Sequence, residues 1–542
     1  MGAIRSRLPR GQLRHLLAAW LLVGTGAWAF SVALGVYAFR TSGVGALGLV
    51  MAARLLPATF AAPLAGRLVD RGDRARLVAI SCVLEALFLG VAAGLVLTRA
   101  SLAIIAVFAA AVGAVGTAPR PALQALMPAL AKTPDELTGA TAAWSAIDNI
   151  GFLLGSGAAG AAIVAVGSGA VAALAAVLLL LAGLLASTLP PVIATPPDQS
   201  GDDADGLAGA LAGLRAVIHS PALRTPYALF ASLLLLEGTT DVQLVALSLG
   251  KLHMGNSGPG VLYAVWGVGG ILGSTLILTL VRRRGYGLAL AIGALVFGCA
   301  LAATGADGIP LAVVAMVPAG LGFGLVEASV MGLVPRLADD AVMGRVYGLS
   351  EILYAGAAGV GAVIAPLLTH IFGAAGTLAV VGLAFAAGAG LAWPACSRLD
   401  SGQGQTTRVR ELLRGIPFLA PLPLPRLERL VRAARAVSAP AGTTIIRLGD
   451  RGDDFYVIDE GTVEIVGHGR REGHGEGFGE IALLRDSPRT ATVCAATDVR
   501  LWAVGRTPFI AAVSGHGDAR RLADAVVTER LAHPDATLPA AD

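Results

Sequence analysis

The sequence predicts an α-helical membrane protein of twelve transmembrane helices in two six-helix repeats, followed by a C-terminal domain of β-strands with flanking helices. Three observations carry this expectation. Apolar runs of about twenty residues recur from position 13 to about 396, each long enough to cross roughly 30 Å of hydrocarbon. The 542-residue chain is 55% hydrophobic and only 14% charged, with mean hydropathy +0.74, outside the range of ordinary globular proteins. Past residue 407 the pattern changes to β-branched and aromatic stretches cut by Gly-Asp turns.

The runs place spans near 13–39, 44–65, 77–98, 102–126, 139–163, 168–189, 224–249, 258–281, 286–305, 309–332, 346–369 and 374–396. The first lacks an A-x-A cleavage site and flows into a second, so it reads as a retained helix. Two polar breaks divide the chain. The stretch 190–206, PPVIATPPDQSGDDADG, is too rich in Pro and Asp to pack a core. The second break, 397–407, reads SRLDSGQGQTT. The expected domains are therefore 1–189 and 223–396 for the two halves, with a cytoplasmic linker at 190–222. A second linker at 397–407 leads to a soluble domain at 408–535 and a tail at 536–542. The halves resemble each other, since 121–151 parallels 327–356 with Pro128 against Pro335 and Ser145 against Ser350.

Charge sets orientation. Arg5, Arg7, Arg10 and Arg14 precede the first span, Arg67, Arg71, Arg74 and Arg76 follow the second, and Arg282, Arg283 and Arg284 follow the eighth. The opposite side carries little more than Arg40, Arg99 and Lys251. Basic residues mark the cytoplasm, so both termini are expected inside a plasma (inner) membrane crossed many times. The four cysteines lie in apolar spans, at a span end or in the cytoplasmic domain, where no disulfide is expected. A net charge of +4 gives no reason to expect nucleic acid as a partner. No metal cluster or nucleophile constellation stands out, so neither an enzyme nor a metal site is expected.

Between spans two and three stands Gly66-Arg-Leu-Val-Asp70-Arg71-Gly-Asp73-Arg74-Ala-Arg76. It resembles the G-x-x-x-D-R-x-G-R-R signature of major facilitator transporters, with Asp73 where Gly is usual. Asp70 ends a helix within reach of arginines, and breaking that pair suits the opening of a cytoplasmic gate. Arg54-Leu-Leu-Pro57 and the fourth-span Pro119-Arg120 and Leu126-Met-Pro128 are similar to the macrolide and siderophore exporter subgroup. The resemblance implies rocker-switch transport of a small molecule. Charged groups inside spans cost several kcal/mol facing lipid, so Arg54, Glu85, Arg120, Asp148, Glu237, Asp241 and Glu327 should face a cavity or one another. Arg54, Arg120, Asp148, Glu237, Asp241 and Glu327 are the candidates for transport or coupling, with structural ion pairing the other reading.

The soluble domain carries the most specific signal, FGEIALLRDSPRTATV at 478–493. Gly479 lets backbone approach a ligand, Glu480 suits a ribose hydroxyl, and Arg489 suits a phosphate. The segment resembles the phosphate-binding cassette of cyclic nucleotide-binding domains, and Gly449-Asp-Arg-Gly-Asp453-Asp-Phe-Tyr matches a turn of their barrel. The resemblance therefore implies a jelly-roll β-barrel with flanking helices, the cyclic nucleotide-binding fold. The resemblance implies a pocket formed by Phe478, Gly479, Glu480, Ile481, Ala482, Arg489, Thr490 and Ala491. It gives Glu480 the ribose 2′-hydroxyl and Arg489 the cyclic phosphate. It also implies a lid helix near 518–531, with Arg520, Arg521 and Leu522 as candidate base contacts. Thr490 does not choose between adenine and guanine.

The expectation is an exporter of an amphipathic small molecule regulated by cAMP or cGMP, with no cofactor besides that regulatory ligand. Its partners are then the nucleotide, the substrate and the lipid bilayer. A membrane sensor without transport stays open, as does a non-binding tail that assembles homodimers.

Overall fold

The computed structural model describes residues 11–131, 134–192, 207–338, 340–400, 403–467 and 469–532. Arg5, Arg7 and Arg10, the inter-half linker from 193 to 206 and the tail 536–542 fall outside them. The chain forms two compact units, Met1–Asp400 and Ser401–Asp542.

In the first unit nine helices among the described residues are long and apolar enough to cross a membrane. The unit contains α1 (Gln12–Arg71), α2 (Arg74–Leu97), α3 (Leu102–Val115), α4 (Pro119–Leu130), α5 (Pro134–Ala186), α6 (Leu207–His219), α7 (Pro221–Ala246), α8 (Gly258–Arg284), α9 (Tyr286–Thr304), α10 (Ile309–Leu337) and α11 (Asp340–Asp400). α3 and α4 run in series as one apolar stretch, and α6 is too short to cross. Three helices have 60, 53 and 61 residues. A straight 60-residue helix would extend about 90 Å, several times the hydrocarbon thickness, and none of the three is straight. α1 breaks at Ser42 and Gly43, α5 at Gly167 and α11 at Gly373, the glycines holding φ of 75°, 81° and 70°. Glycine adopts that left-handed backbone without a Cβ clash, so each break needs only a residue or two.

Small residues set how closely the helices approach. A Cβ on Gly260 of α8 would lie 2.5 Å from the Cα of Gly160 on α5, so these helices touch backbone to backbone. The repeat is visible at helix ends, because Pro128 and Pro335 each stand two residues before the last residue of α4 and α10. Ser350 hydrogen-bonds the Tyr227 hydroxyl at 2.9 Å.

The second unit opens with α12 (Gln403–Gly415) and α13 (Leu424–Ala433). Eight strands follow: β1 (Ala434–Ala439), β2 (Thr444–Ile446), β3 (Asp454–Glu460), β4 (Val463–Val466), β5 (Arg470–Glu472), β6 (Gly477–Phe478), β7 (Thr492–Ala495) and β8 (Val499–Gly505). They form two antiparallel four-stranded sheets, ordered β1-β8-β3-β6 and β2-β7-β4-β5. A short α14 (Glu480–Leu484) interrupts the strands, and α15 (Arg506–Ser514) and α16 (Gly517–Ala532) follow them. Strand alternation makes two cores. On β3, Tyr456 and Ile458 face the interior with Val463, Phe478 and Leu501, whereas Phe455 and Val457 pack under the helices with Leu413 and Phe509. Asp459 is buried and accepts hydrogen bonds from Arg408 Nε at 2.5 Å, Arg500 Nε at 2.8 Å and Trp502 Nε1 at 3.2 Å. Burial alone would raise its carboxyl, yet these donors hold it below the usual range. They tie α12 to β3 and β8.

Candidate functional site

The gating motif sits at the end of α1 and the start of α2. Asp70 is exposed, and no described residue gives it a hydrogen bond or ion pair. Gly66 has open space where a Cβ would stand. Arg74 donates to the backbone carbonyls of Ala125 at 3.1 Å and Val69 at 3.4 Å, and Arg71 ends α1. Asp73, the departure from the signature, caps α2 by accepting from Ala75 N at 3.1 Å and from Val192 N at 3.3 Å. Its place directly before an apolar helical run is the usual N-cap signal, so this role was readable and was missed.

The buried charges come from both halves. Arg54 on α1 donates to Ser31 Oγ at 2.8 Å, and the acids that act on it are Asp241 on α7 and Glu85 on α2. Glu85 is buried, with one carboxylate oxygen unpaired among the described residues. Asp241 accepts from the Tyr263 hydroxyl at 2.8 Å, and Glu327 on α10 from the Tyr354 hydroxyl at 2.5 Å. Arg120 on α4 lies 5.5 Å from the Tyr354 ring centroid, with Asp148, Glu351 and Glu327 as the acids acting on it. Glu237 has only like-charged acids acting on it, Asp241 and Glu327, and no described residue bonds to it. The two tyrosines carry no motif, and nothing in the sequence distinguishes them from other aromatic residues in spans.

In the second unit one cavity of about 260 Å³ gathers all eight cassette residues: Phe478, Gly479, Glu480, Ile481, Ala482, Arg489, Thr490 and Ala491. Gly479 holds φ 90°, and a Cβ there would fall 2.6 Å from Arg489 Nη1. Arg489 is 6% exposed and donates to the carbonyls of Gly479 at 2.8 Å and Asp454 at 2.7 Å. Burial lowers its pKa, against the raising influence of Tyr456 and Asp454. Its neutral carbonyl partners leave the positive charge free to act on an anion. Glu480 is fully buried and accepts from Arg530 Nη1 at 2.7 Å.

The last helix meets the cavity through Arg530 and Leu531. Arg520, Arg521 and Leu522 lie on the same helix, exposed and outside the lining, with Arg521 paired to Asp518. Arg470 and Glu472 also line the cavity, from β5. Burial pushes the Glu472 carboxyl up to about 7, aided by Glu480 and Glu476 and opposed by Arg530 and Arg470.

Residues 16–362, well over half of the chain, match the Major Facilitator Superfamily. The chain belongs to the major facilitator superfamily. Residues 436–516 match the cyclic nucleotide-binding domain, so this facilitator carries a C-terminal domain of that type. Curated relatives of that part include the cAMP-dependent protein kinase regulatory subunit of Aspergillus niger, 34% identical over 116 residues. That alignment covers 20% of this chain and 28% of the relative. A cyclic nucleotide-gated potassium channel of Mesorhizobium japonicum is 38% identical over 108 residues, covering 20% and 30%. The facilitator thus spans less than a third of the length of these relatives. Among solved structures, the nucleoside transporter NupG is 16% identical with TM-score 0.57, covering 72% of this chain and all of that one. A POT family transporter in complex with 5-aminolevulinic acid is 12% identical with TM-score 0.59, covering 72% and 97%. At these identities the likeness shows the fold of the membrane unit alone.

Proposed function

We propose that the chain is a secondary active transporter that exports an amphipathic small molecule under control of a cyclic nucleotide bound in its C-terminal domain. The observation that carries the regulatory half is the single cavity holding Glu480 and Arg489 with the whole cassette. It offers a carboxylate for the ribose and a guanidinium for the phosphate, the two groups that any cyclic nucleotide presents.

The transport half rests on the superfamily and on the buried charges. Among the described residues nine helices are long and apolar enough to span, and taking the breaks at Gly43, Gly167 and Gly373 as turns between crossings gives this reading its twelve spans, six in each half. Both termini then lie in the cytoplasm of a plasma membrane, given the basic residues on that side. Arg54 with Asp241, and Arg120 with Glu327, set a cation of one half against an acid of the other. Exchanging these partners suits alternating access about the bilayer midplane. A coupling of about 1–3 kcal/mol would let nucleotide change transport-state populations several-fold to a hundredfold.

The test is transport in proteoliposomes by wild type and Arg489→Ala, with and without saturating cAMP or cGMP. A nucleotide-dependent rate in the wild type, absent from the variant, is the expected result. Equal rates in all conditions would overturn the regulatory reading.

A further inference from the structure

The cavity has a feature that ribose and phosphate do not use. On β5 the side chains alternate, Arg471 outward and Arg470 and Glu472 inward, the inward pair 5% and 1% exposed. Their cross-strand partners on β4 are Ile465 and Val463, apolar side chains of the same inner face. Two charged groups therefore stand where strand alternation demands apolar ones. Arg470 Nη2 lies 2.9 Å from Glu472 Oε1, and Arg530 Nη2 donates to that oxygen at 3.1 Å. Glu472 Oε2 and Arg470 Nε are buried with no partner among the described residues. The Arg470 contact has ion-pair distance without hydrogen-bond alignment, so Arg470 Nη2 also keeps an unused N–H. Buried polar atoms that line a cavity and lack partners call for a ligand group to complete them.

With Glu480 assigned to ribose and Arg489 to phosphate, the β5 wall and the end of α16 are left for the base. We propose that Glu472 reads the base and selects guanine over adenine, with Arg470 as the residue that positions it. This rests on the reading that the cavity holds a cyclic nucleotide. An ionised carboxylate only accepts hydrogen bonds. The Watson–Crick edge of guanine offers it two adjacent donors, N1–H and the N2 amino group. The same edge of adenine offers one donor, the N6 amino group, beside the N1 lone pair, which repels a carboxylate. A site built to bond a ligand group discriminates strongly against the analogue that lacks it.

Protonation of Glu472 would remove that advantage, since a neutral carboxyl pairs with adenine N1 and its amino group as well as with guanine O6 and N1–H. The charged groups acting on Glu472 are Arg530, Arg470, Glu480 and Glu476. With its carboxyl titrating near 7, the guanine preference should grow from pH 6 to pH 8.

Calorimetric titration of the full-length protein with cGMP, cAMP and cyclic IMP tests this, beside Glu472→Gln. At pH 8 the wild type should bind cGMP about tenfold or more tighter than cAMP, a typical value for one well-paired base edge. Cyclic IMP, which keeps N1–H and loses the N2 amino group, should fall between them. Glu472→Gln, which presents one donor and one acceptor, should abolish or invert the ratio. Equal or tighter binding of cAMP by the wild type at pH 8 would overturn the proposal, as would an unchanged ratio in the variant. The cyclic IMP and pH comparisons need only wild-type protein, so a poorly folded variant does not rescue the idea. Binding of no nucleotide by the wild type would instead overturn the regulatory reading beneath it, and this proposal with it.

Discussion

Arg530, on the last described helix, donates to the buried carboxylate of Glu480, fifty positions earlier, at 2.7 Å, and with its other terminal nitrogen to Glu472 at 3.1 Å. One guanidinium therefore clasps two acids of the cavity wall and holds α16 across the pocket.

Replacing that clasp should loosen the helix before it unfolds the domain. Arg530→Gln leaves two buried carboxylates short of a cation, a loss of about 3–5 kcal/mol where a buried pair is broken. Hydrogen exchange on the full-length protein should show faster amide exchange across Gly517–Ala532, with β3 and β8 less affected. Unchanged exchange would mean that apolar packing alone seats the helix.

The acid side of stability should carry the mark of Glu472. Its folded pKa of about 7 lies above the ordinary 4.5, so the folded chain keeps a proton that the unfolded chain releases. Stability is then lost as pH rises from about 4.5 to 7 and levels off above, by about 3 kcal/mol in all. Glu472→Gln should flatten that slope in denaturation of the full-length protein followed by hydrogen exchange at β5. A wild-type slope that survives the substitution would assign it to another group.

Gly479→Ala should damage binding more than folding. The positive φ costs an alanine about 1 kcal/mol, a modest share of a domain's stability. The new Cβ would meet Arg489 Nη1 at 2.6 Å and displace the guanidinium from the cavity. Nucleotide affinity should drop at least tenfold while the unfolding midpoint moves by a few degrees. A variant with wild-type affinity would show that Arg489 is not held where an anion needs it.

In the membrane unit, Gly260→Ala should separate α5 from α8. The added methyl meets the Gly160 backbone at 2.5 Å, where no flexible side chain can move aside. Overpacking of this kind costs about 1–3 kcal/mol, and the detergent-purified protein should unfold several degrees earlier than wild type. Gly66→Ala, with open space at its Cβ, is the control expected to leave the midpoint in place.

Much of the architecture was legible because its causes are local. The breaks at Gly43, Gly167 and Gly373 fall in the gaps that hydropathy leaves at 39–44, 163–168 and 369–374, where an apolar run meets a glycine. The cassette was legible because its eight residues lie within fourteen consecutive positions and each contributes directly to one cavity. Arg470 and Glu472 were not. As text, RRE is a charged stretch that belongs on a surface, and only the hairpin register against Val463 and Ile465 turns two of its members inward. Arg530 was missed for another reason. A helix's amphipathic pattern says which face is buried, but the turn that reaches the pocket depends on where α16 lies over the sandwich. The Tyr263 and Tyr354 contacts likewise join helices far apart in sequence, and neither residue carries a local pattern.

The charged lining of the cavity consists of three arginines and two glutamates: Arg470, Arg489 and Arg530 against Glu472 and Glu480. With both acids ionised, four of these groups cancel among themselves, and the surplus is a single positive charge at Arg489. A cyclic phosphodiester carries a single negative one. The chamber thus carries an excess of positive charge that a cyclic phosphodiester would make electrically even. Small anions such as sulfate should therefore compete with the nucleotide for entry, whichever base it bears.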